Sequence, residues 1–169
     1  TVQVCAGATD SLTIKFTGKA PFIYTLRING VAQPQDTSLL SMIKIPVLPT
    51  GDTVIYSLLS VWDSICIGTV SGIYRVIVTP LPSASISANQ TICPGGTGTL
   101  NFNLTGTGPF LITYAANGVP QPSIQANSSP FTLQVTPSVT TTYTLLSMVG
   151  NGCAGTISGV GVIAIAQPA

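Results

Sequence analysis

Hydrophobic and polar residues alternate in short runs along most of the chain. In residues 11–16 every second residue is large and apolar, and residues 100–104 repeat this pattern. A period of two places alternate side chains on the same face of a β-strand. Since no stretch of useful length has the helical period, the chain is predicted to be all-β. Further predicted strands cover residues 22–28, 43–47, 56–62, 74–78, 131–135, 143–149 and 161–165.

Turn residues separate these runs at regular spacing. The Asn-Gly pairs that begin at Asn29 and Asn117 predict type I′ hairpins, because both central residues of that turn need a positive φ. About seven short strands with such spacing are typical of an immunoglobulin-like β-sandwich.

The sequence contains two copies of one unit. Residues 5–12 return as residues 93–100 at an offset of 88, and after one deletion near Val54 residues 68–72 return as 155–159 at an offset of 87. Repetition at a fixed period indicates tandem structural units. We therefore predict two tandem immunoglobulin-like β-sandwich domains, residues 1–82 and 83–169.

The second copy has a segment that the first copy lacks. Residues 83–88 read Ser-Ala-Ser-Ile-Ser-Ala and predict a first strand, whereas Thr1 is equivalent to Asn89. A sandwich without an edge strand exposes unpaired backbone. We therefore expect head-to-tail contact with copies of the chain or with adjacent repeats, which leads to an open fibre. Either a continuous array or separate subunits would supply the strand.

Charge is scarce and unevenly placed. The nine charged residues all lie between Asp10 and Arg75, and the sequence has neither His nor Glu. A His-based triad or His-ligated metal cannot be built, so we expect no enzyme activity and no cofactor. Five scattered cations are too few for nucleic acid, and no apolar run is long enough to span a bilayer. The part of the chain after Arg75 has no charge, and three interpretations of its surface are open: a solvated polar surface, a surface packed in a fibre, or a surface masked by glycans.

Cys5, Cys66, Cys93 and Cys153 occupy equivalent places, two in each repeat. They are either free buried thiols or one disulfide per domain. Equivalent placement favours the disulfides Cys5–Cys66 and Cys93–Cys153. Disulfides form in oxidising compartments, so an extracellular location at the cell surface is expected.

An ordered set of motifs carries a family resemblance. It consists of residues 91–100, 104–110, 131–137, 140–145 and 155–159, with Asn117-Gly118 and Cys153 between them. Together they resemble the tandem immunoglobulin-like repeats of large Bacteroidota cell-surface proteins, which include gliding-motility-associated adhesins exported by type IX secretion. The resemblance covers both repeats, and the first departs more, with Ala20 in place of Gly108. It implies a non-catalytic structural repeat of a surface filament or adhesin stalk.

Two further features have more than one interpretation. Ser11, Thr53 and Ser64 each follow an Asp and precede an aliphatic residue. This pattern resembles the O-glycosylation acceptors of Bacteroidota exported proteins, although Asp with a hydroxyl residue also ends turns before strands. Trp62, the only Trp, is a candidate for stacking on a sugar or a packing residue. If it binds a ligand, the chain is a carbohydrate-binding or other ligand-binding module of a secreted protein.

Overall fold

A computed structural model describes residues 1–166. These residues form strands and no helix, which confirms the all-β prediction. The strands are β1 (Val2–Cys5), β2 (Asp10–Lys15), β3 (Phe22–Ile28), β4 (Val31–Ser38), β5 (Met42–Val47), β6 (Thr53–Trp62), β7 (Ile73–Thr79), β8 (Ser83–Ile92), β9 (Gly98–Thr105), β10 (Phe110–Ala116), β11 (Val119–Pro120), β12 (Ile124–Ala126), β13 (Phe131–Val135), β14 (Thr141–Gly150), β15 (Cys153–Ala154) and β16 (Thr156–Ile165).

The chain divides into two compact units. The first unit is Thr1–Pro80, and the second begins at Leu81. The sequence pattern had set this boundary two residues later, after residue 82. The last three residues of the predicted second domain, 167–169, lie outside the described residues.

The first unit has two β-layers. One is a five-stranded sheet in the order β1-β7-β6-β3-β4, and the other is the pair β2-β5. Alternation along β2 places Leu12 and Ile14 in the core, where Phe16 stacks on Phe22 with 4.9 Å between ring centroids. The buried core of this unit consists of Leu12, Ile14, Phe16, Phe22, Tyr24, Val47, Val54, Tyr56 and Val76.

In the second unit β8 lies between β16 and β9 within a nine-stranded sheet. All ten residues of β8 pair in parallel with β16, and its first five also pair antiparallel with β9. The core centres on Phe102, which is fully buried and contacts the rings of Tyr114 and Phe131. Its largest fully buried neighbours are Ile86, Leu100, Ile112, Met148 and Ile163.

Both predicted Asn-Gly turns have the required backbone. Asn29 and Gly30 have φ values of 50° and 83°, and Asn117 and Gly118 have values of 47° and 80°. The sequence pattern did not predict β4, because this strand is polar, contains Pro34 and is exposed over most of its length. Among residues 1–166 its one strand partner is β3, so it is an edge strand, where Pro is tolerated.

Candidate functional site

A groove runs along the first unit between β2 and residues 68–74. Two adjoining cavities of about 230 and 410 Å³ form it, and both are lined by Lys15, Leu58 and Ser71. Its apolar lining comes from β3 and β6, through Leu26, Tyr56, Leu58 and Val61. We call this feature the first-repeat groove.

The same place in the second unit is filled by a strand. Residues 83–87 of β8 lie between residues 101–105 of β9 and residues 156–160 of β16. Ala84 and Ile86 point into the core there and are each 2 % exposed. The repeat offsets map these flanking segments onto residues 13–17 and 69–73, which border the first-repeat groove. The groove is therefore the space that β8 occupies in the other repeat.

Within residues 1–166 the two segments beside the groove have no strand between them. Strand β2 pairs with β5, and no strand among residues 1–166 pairs with its other edge. Strand β7 begins at Ile73, although its counterpart β16 begins at Thr156, which is equivalent to Thr69. Within the described residues, 156–159 pair only with β8. Residues 69–72 lack such a partner and are not in a strand.

The lining of the groove is correspondingly less buried. Leu26, Leu58 and Val61 are half-buried, while their counterparts in the second unit are buried. Those counterparts are Tyr114, Leu145 and Met148, which pack in one cluster with Ala84 and Ile86. The equivalent apolar surface is thus partly exposed in the first unit.

Two equivalent glycines show the difference at atomic scale. Gly72 and Gly159 have similar φ values of 90° and 84°. A methyl group added at Gly159 would overlap the carbonyl oxygen of Ile86, because β8 passes directly over it. A methyl group added at Gly72 would have no heavy atom of residues 1–166 within 4 Å, apart from those of Gly72 and its two chain neighbours. Among the described residues, Gly72 thus faces open space where Gly159 faces β8.

The structure corrects the predicted disulfides. Cys66 and Cys93 are free and exposed, so neither Cys5–Cys66 nor Cys93–Cys153 is formed. Cys5 pairs with Thr79 at one end of the first unit, whereas Cys66 follows β6 at the other end. The nine residue steps of β6 separate these ends by about 30 Å, and a disulfide requires Cα atoms within about 7 Å.

The second unit has the same arrangement. Cys93 follows the last residue of β8, and Cys153 lies at the opposite end, beside Gly150 of β14. Cys5 and Cys153 are disulfide-bonded. The two cysteines of a repeat thus have equivalents in the other repeat, but they do not lie close to each other within their own repeat.

The candidate glycosylation residues Ser11, Thr53 and Ser64 are all exposed, but the structure does not bring them together. Ser11 and Thr53 lie within strands β2 and β6, and Ser64 lies in the turn after β6.

Two of the preceding Asp side chains have structural partners. Asp63 accepts backbone hydrogen bonds from Lys19, Ile65 and Cys66, and those of Cys66 and Ile65 contribute most to lowering its pKa. The Tyr74 hydroxyl donates a 2.6 Å hydrogen bond to Asp10, and this bond is the main cause that raises the pKa of Tyr74 to about 12. Asp10 and Asp63 thus each hold local structure through these hydrogen bonds.

Trp62 is half-buried at the end of β6, where it pairs with Ile23 and forms a bridge with Ile67. Tyr24, the next aromatic residue of β3 after Phe22, is 3 % exposed and lies in the core. The cross-strand neighbours of Trp62 are thus aliphatic, and a flat aromatic platform is not formed with Tyr24.

Among residues 1–166, no three His, Cys, Asp or Glu side chains are close enough to hold a metal ion. The described residues also contain no helix with the length and hydrophobicity needed to cross a membrane.

Comparison with known proteins gives structural similarity only. No family model and no curated protein matches the sequence. Among solved structures, titin domains I67–I69 in an E-to-A mutated variant superpose with a TM-score of 0.56 at 12 % identity, over 98 % of this chain and 62 % of that chain. The I-band fragment I67–I69 from titin gives 0.55, also at 12 % identity and with the same coverage.

A bacterial structure is also similar. The fibronectin(III)-like modules of Clostridium thermocellum CbhA give a TM-score of 0.45 at 12 % identity, over 98 % of this chain and 89 % of that chain. At these identities the comparison establishes the fold and nothing finer. The chain is an all-β protein with an immunoglobulin-like fold.

Proposed function

We propose that this chain is a non-catalytic structural repeat of an extracellular surface filament or adhesin stalk, assembling head to tail. The observation that carries the proposal is the internal repeat, which folds into two compact immunoglobulin-like units. Among residues 1–166 the outer edge of β2 has no strand partner, and an exposed strand edge favours pairing with another chain or repeat. A contact that uses different surfaces on the two partners builds an open fibre.

The proposed setting follows from the sequence motifs and the cysteines. The motif set resembles repeats of Bacteroidota gliding-motility-associated adhesins, so we place the parent protein in that group and its export in the type IX route. Cys5 and Cys153 are disulfide-bonded, and disulfides persist in oxidising environments. An antibody against the chain should therefore label intact, unpermeabilised cells of the source organism; labelling only after lysis would contradict the surface location.

Assembly can be tested with the purified chain. We expect sedimentation velocity to show species larger than one chain as concentration rises, and electron microscopy to show linear particles. A chain that stays a 17.3 kDa monomer at every concentration would contradict self-assembly. In that case the array could still lie within one long polypeptide, and the protein isolated from its source would then have a very large mass after reduction and denaturation. A mass of 17.3 kDa for that protein would exclude both the assembly of separate subunits and the continuous array.

The second candidate is a carbohydrate-binding module, favoured by the partial exposure of Trp62 at the end of β6. Sugar-binding surfaces use aromatic rings that are accessible on one face. Binding to a glycan array that is lost on Trp62→Ala, with unchanged thermal stability, would support this function. Val149 stands at the equivalent position of the second repeat, so Val149→Ala is the matched control.

A further inference from the structure

We propose that the second unit pairs edge to edge with a second copy of this chain, through strand β13 of both copies. Strand β13 pairs with β9 on one side, and within residues 1–166 no strand pairs with its other edge. The equivalent strand β5 of the first unit is open in the same way beside β2. This edge is thus open both in the repeat that precedes another repeat and in the repeat that follows one. Its openness is therefore a property of the repeat itself.

The two equivalent edges differ in their protection against pairing. Strand β5 carries Lys44 and Pro46 between its apolar residues, and the equivalent positions of β13 hold Thr132 and Gln134. A charge or a proline on an edge strand opposes pairing with another chain, because the charge would lose its hydration and proline has no N–H to donate. The first repeat thus has two protective residues and the second has neither. Since no residue after Arg75 is charged, two copies of the second unit also have no charges that repel each other.

Pro46 also indicates which backbone groups face the open edge. It lies opposite Ser11 in the β2–β5 pair, although it has no N–H. Proline is tolerated in an edge strand where the N–H would point away from the sheet. By equivalence the N–H of Gln134 faces the open edge of β13, and the alternation of an antiparallel ladder gives Thr132 the same orientation. Both residues thus present their backbone groups to an incoming strand.

The outward backbone groups and the side chains together select one register. In an antiparallel pair of β13 strands centred on Leu133, Thr132 of each copy lies opposite Gln134 of the other, and each of these pairs exchanges two backbone hydrogen bonds. Phe131 then lies opposite Val135, so apolar residues meet apolar residues. Any other register leaves part of the five-residue strand unpaired. Phe131, Leu133 and Val135 pack against the core and are half-buried, so pairing would bury them further.

The contact would join two chains side by side. It uses the same surface on both partners, so it is a two-fold contact that closes on itself. It goes beyond the head-to-tail contact proposed above and would associate neighbouring filaments laterally. Pro130 and Pro137 flank β13 and limit the paired length, so a single contact is weak. Repeated contacts along two filaments act together and give a stronger association.

Covalent trapping tests the pairing and its register. In a chain that carries Cys66→Ser and Cys93→Ser, Leu133→Cys should give a disulfide-linked dimer with oxidised glutathione as the electron acceptor, because the two substituted residues lie directly opposite each other. The matched control is Ile45→Cys in the same background, since Ile45 is the equivalent residue of the protected edge, and it should give no dimer. Equal dimer from both variants, no dimer from either, or cross-linking of the two variants to each other as readily as Leu133→Cys to itself would overturn the pairing of β13 with β13.

A charge placed on the edge tests the same contact without cross-linking. Thr132→Lys gives β13 the lysine of the first repeat and should weaken dimerisation roughly tenfold in sedimentation equilibrium, because a two-fold contact contains the change twice. The matched control, Thr142→Lys, adds the same charge at an exposed position of β14, which has strand partners on both sides. Unchanged dimerisation in Thr132→Lys, or equal weakening in both variants, would overturn the proposal. Head-to-tail assembly does not use β13 and should persist in Thr132→Lys, so failure here is separable from failure of the proposed function.

Discussion

The equivalent glycines Gly72 and Gly159 allow the open groove to be tested by a single added methyl group in each repeat. Both residues have a positive φ, near 90°, so alanine at either site incurs a similar backbone strain of about 1 kcal/mol. Only at Gly159 does the methyl group meet β8, at the carbonyl oxygen of Ile86. Both substitutions therefore introduce backbone strain, and only Gly159→Ala adds a steric clash with β8.

The additional cost at Gly159 can be worked from the contacts. The methyl group cannot be accommodated unless the first half of β8 moves, because the atom it meets belongs to the backbone. Displacing that segment exposes Ile86 and Ala84, which are each 2 % exposed now. Loss of a buried Ile side chain costs about 2–5 kcal/mol. We expect Gly159→Ala to lower the free energy of unfolding of the second unit by about 3–5 kcal/mol, and Gly72→Ala to lower that of the first unit by about 1 kcal/mol.

The assay must resolve the two units. Urea unfolding followed by Trp62 fluorescence reports the first unit, and hydrogen exchange measured on peptides from β14 reports the second. Each variant serves as the control for the other, because the substituted unit should change and its sister should not. If Gly72→Ala destabilised the first unit as much as Gly159→Ala destabilises the second, the space over Gly72 would be occupied in solution and the groove would not be open.

Three further predictions concern ionisation, thiols and packing. Burial and a hydrogen bond to Asp36 raise the pKa of Tyr24 to about 12, and the pKa of Tyr74 is also raised to about 12. An unfolded tyrosine ionises near pH 10, so these two hydroxyls stay neutral above that pH in the folded first unit. The stability that the two tyrosines contribute is complete below about pH 10 and is lost as pH rises towards about 12, and urea unfolding at alkaline pH should show this loss. Asp10→Asn should lower the pH at which Tyr74 titrates. An unchanged titration midpoint in that variant would refute the role of the hydrogen bond. Iodoacetamide should label Cys66 and Cys93 without reductant and Cys5 and Cys153 only after reduction, and peptide mapping that finds Cys5–Cys66 or Cys93–Cys153 would contradict the structure. Phe102→Ala should destabilise the second unit by about 3–5 kcal/mol, because the ring is fully buried and packs against two other aromatic rings, whereas exposed Leu111→Ala should change its stability little.

Local pattern accounts for much of the agreement between sequence and structure. Strand β3 has the predicted bounds, residues 22–28, because the run is apolar and ends at an Asn-Gly turn. Positive φ values at Asn29 and Gly30 follow from the same dipeptide. Alternation also identified the core positions of β2 and β9, since a period of two selects one face. Strand β4 escaped prediction because its polar residues gain their conformation from pairing with β3 and not from burial.

The candidate site was only partly accessible from sequence. Comparison of the repeats aligned Thr1 with Asn89, so residues 83–88 lie ahead of the aligned region. It did not indicate a groove, because the depth of the groove depends on β3 and β6, whose Leu26 and Val61 are distant in sequence from β2. The absence of strand structure at residues 69–72 was also not predictable, since their sequence closely matches that of residues 156–159 and only the partner strand differs.

The sequence by itself determined the all-β class, the internal repeat, the hairpin turns and the scarcity of chemically reactive groups, because each depends on residue type and short-range spacing. The tertiary structure decided which residues meet. Cys5 and Cys66 have equivalents in the other repeat, but an extended strand advances about 3.3 Å per residue and carries them to opposite ends of their unit. Gly72 and Gly159 are likewise indistinguishable in sequence, and only the path of β8 makes one covered and the other open. Contacts between distant segments depend on strand length, direction and register, and these are fixed when the strands pair.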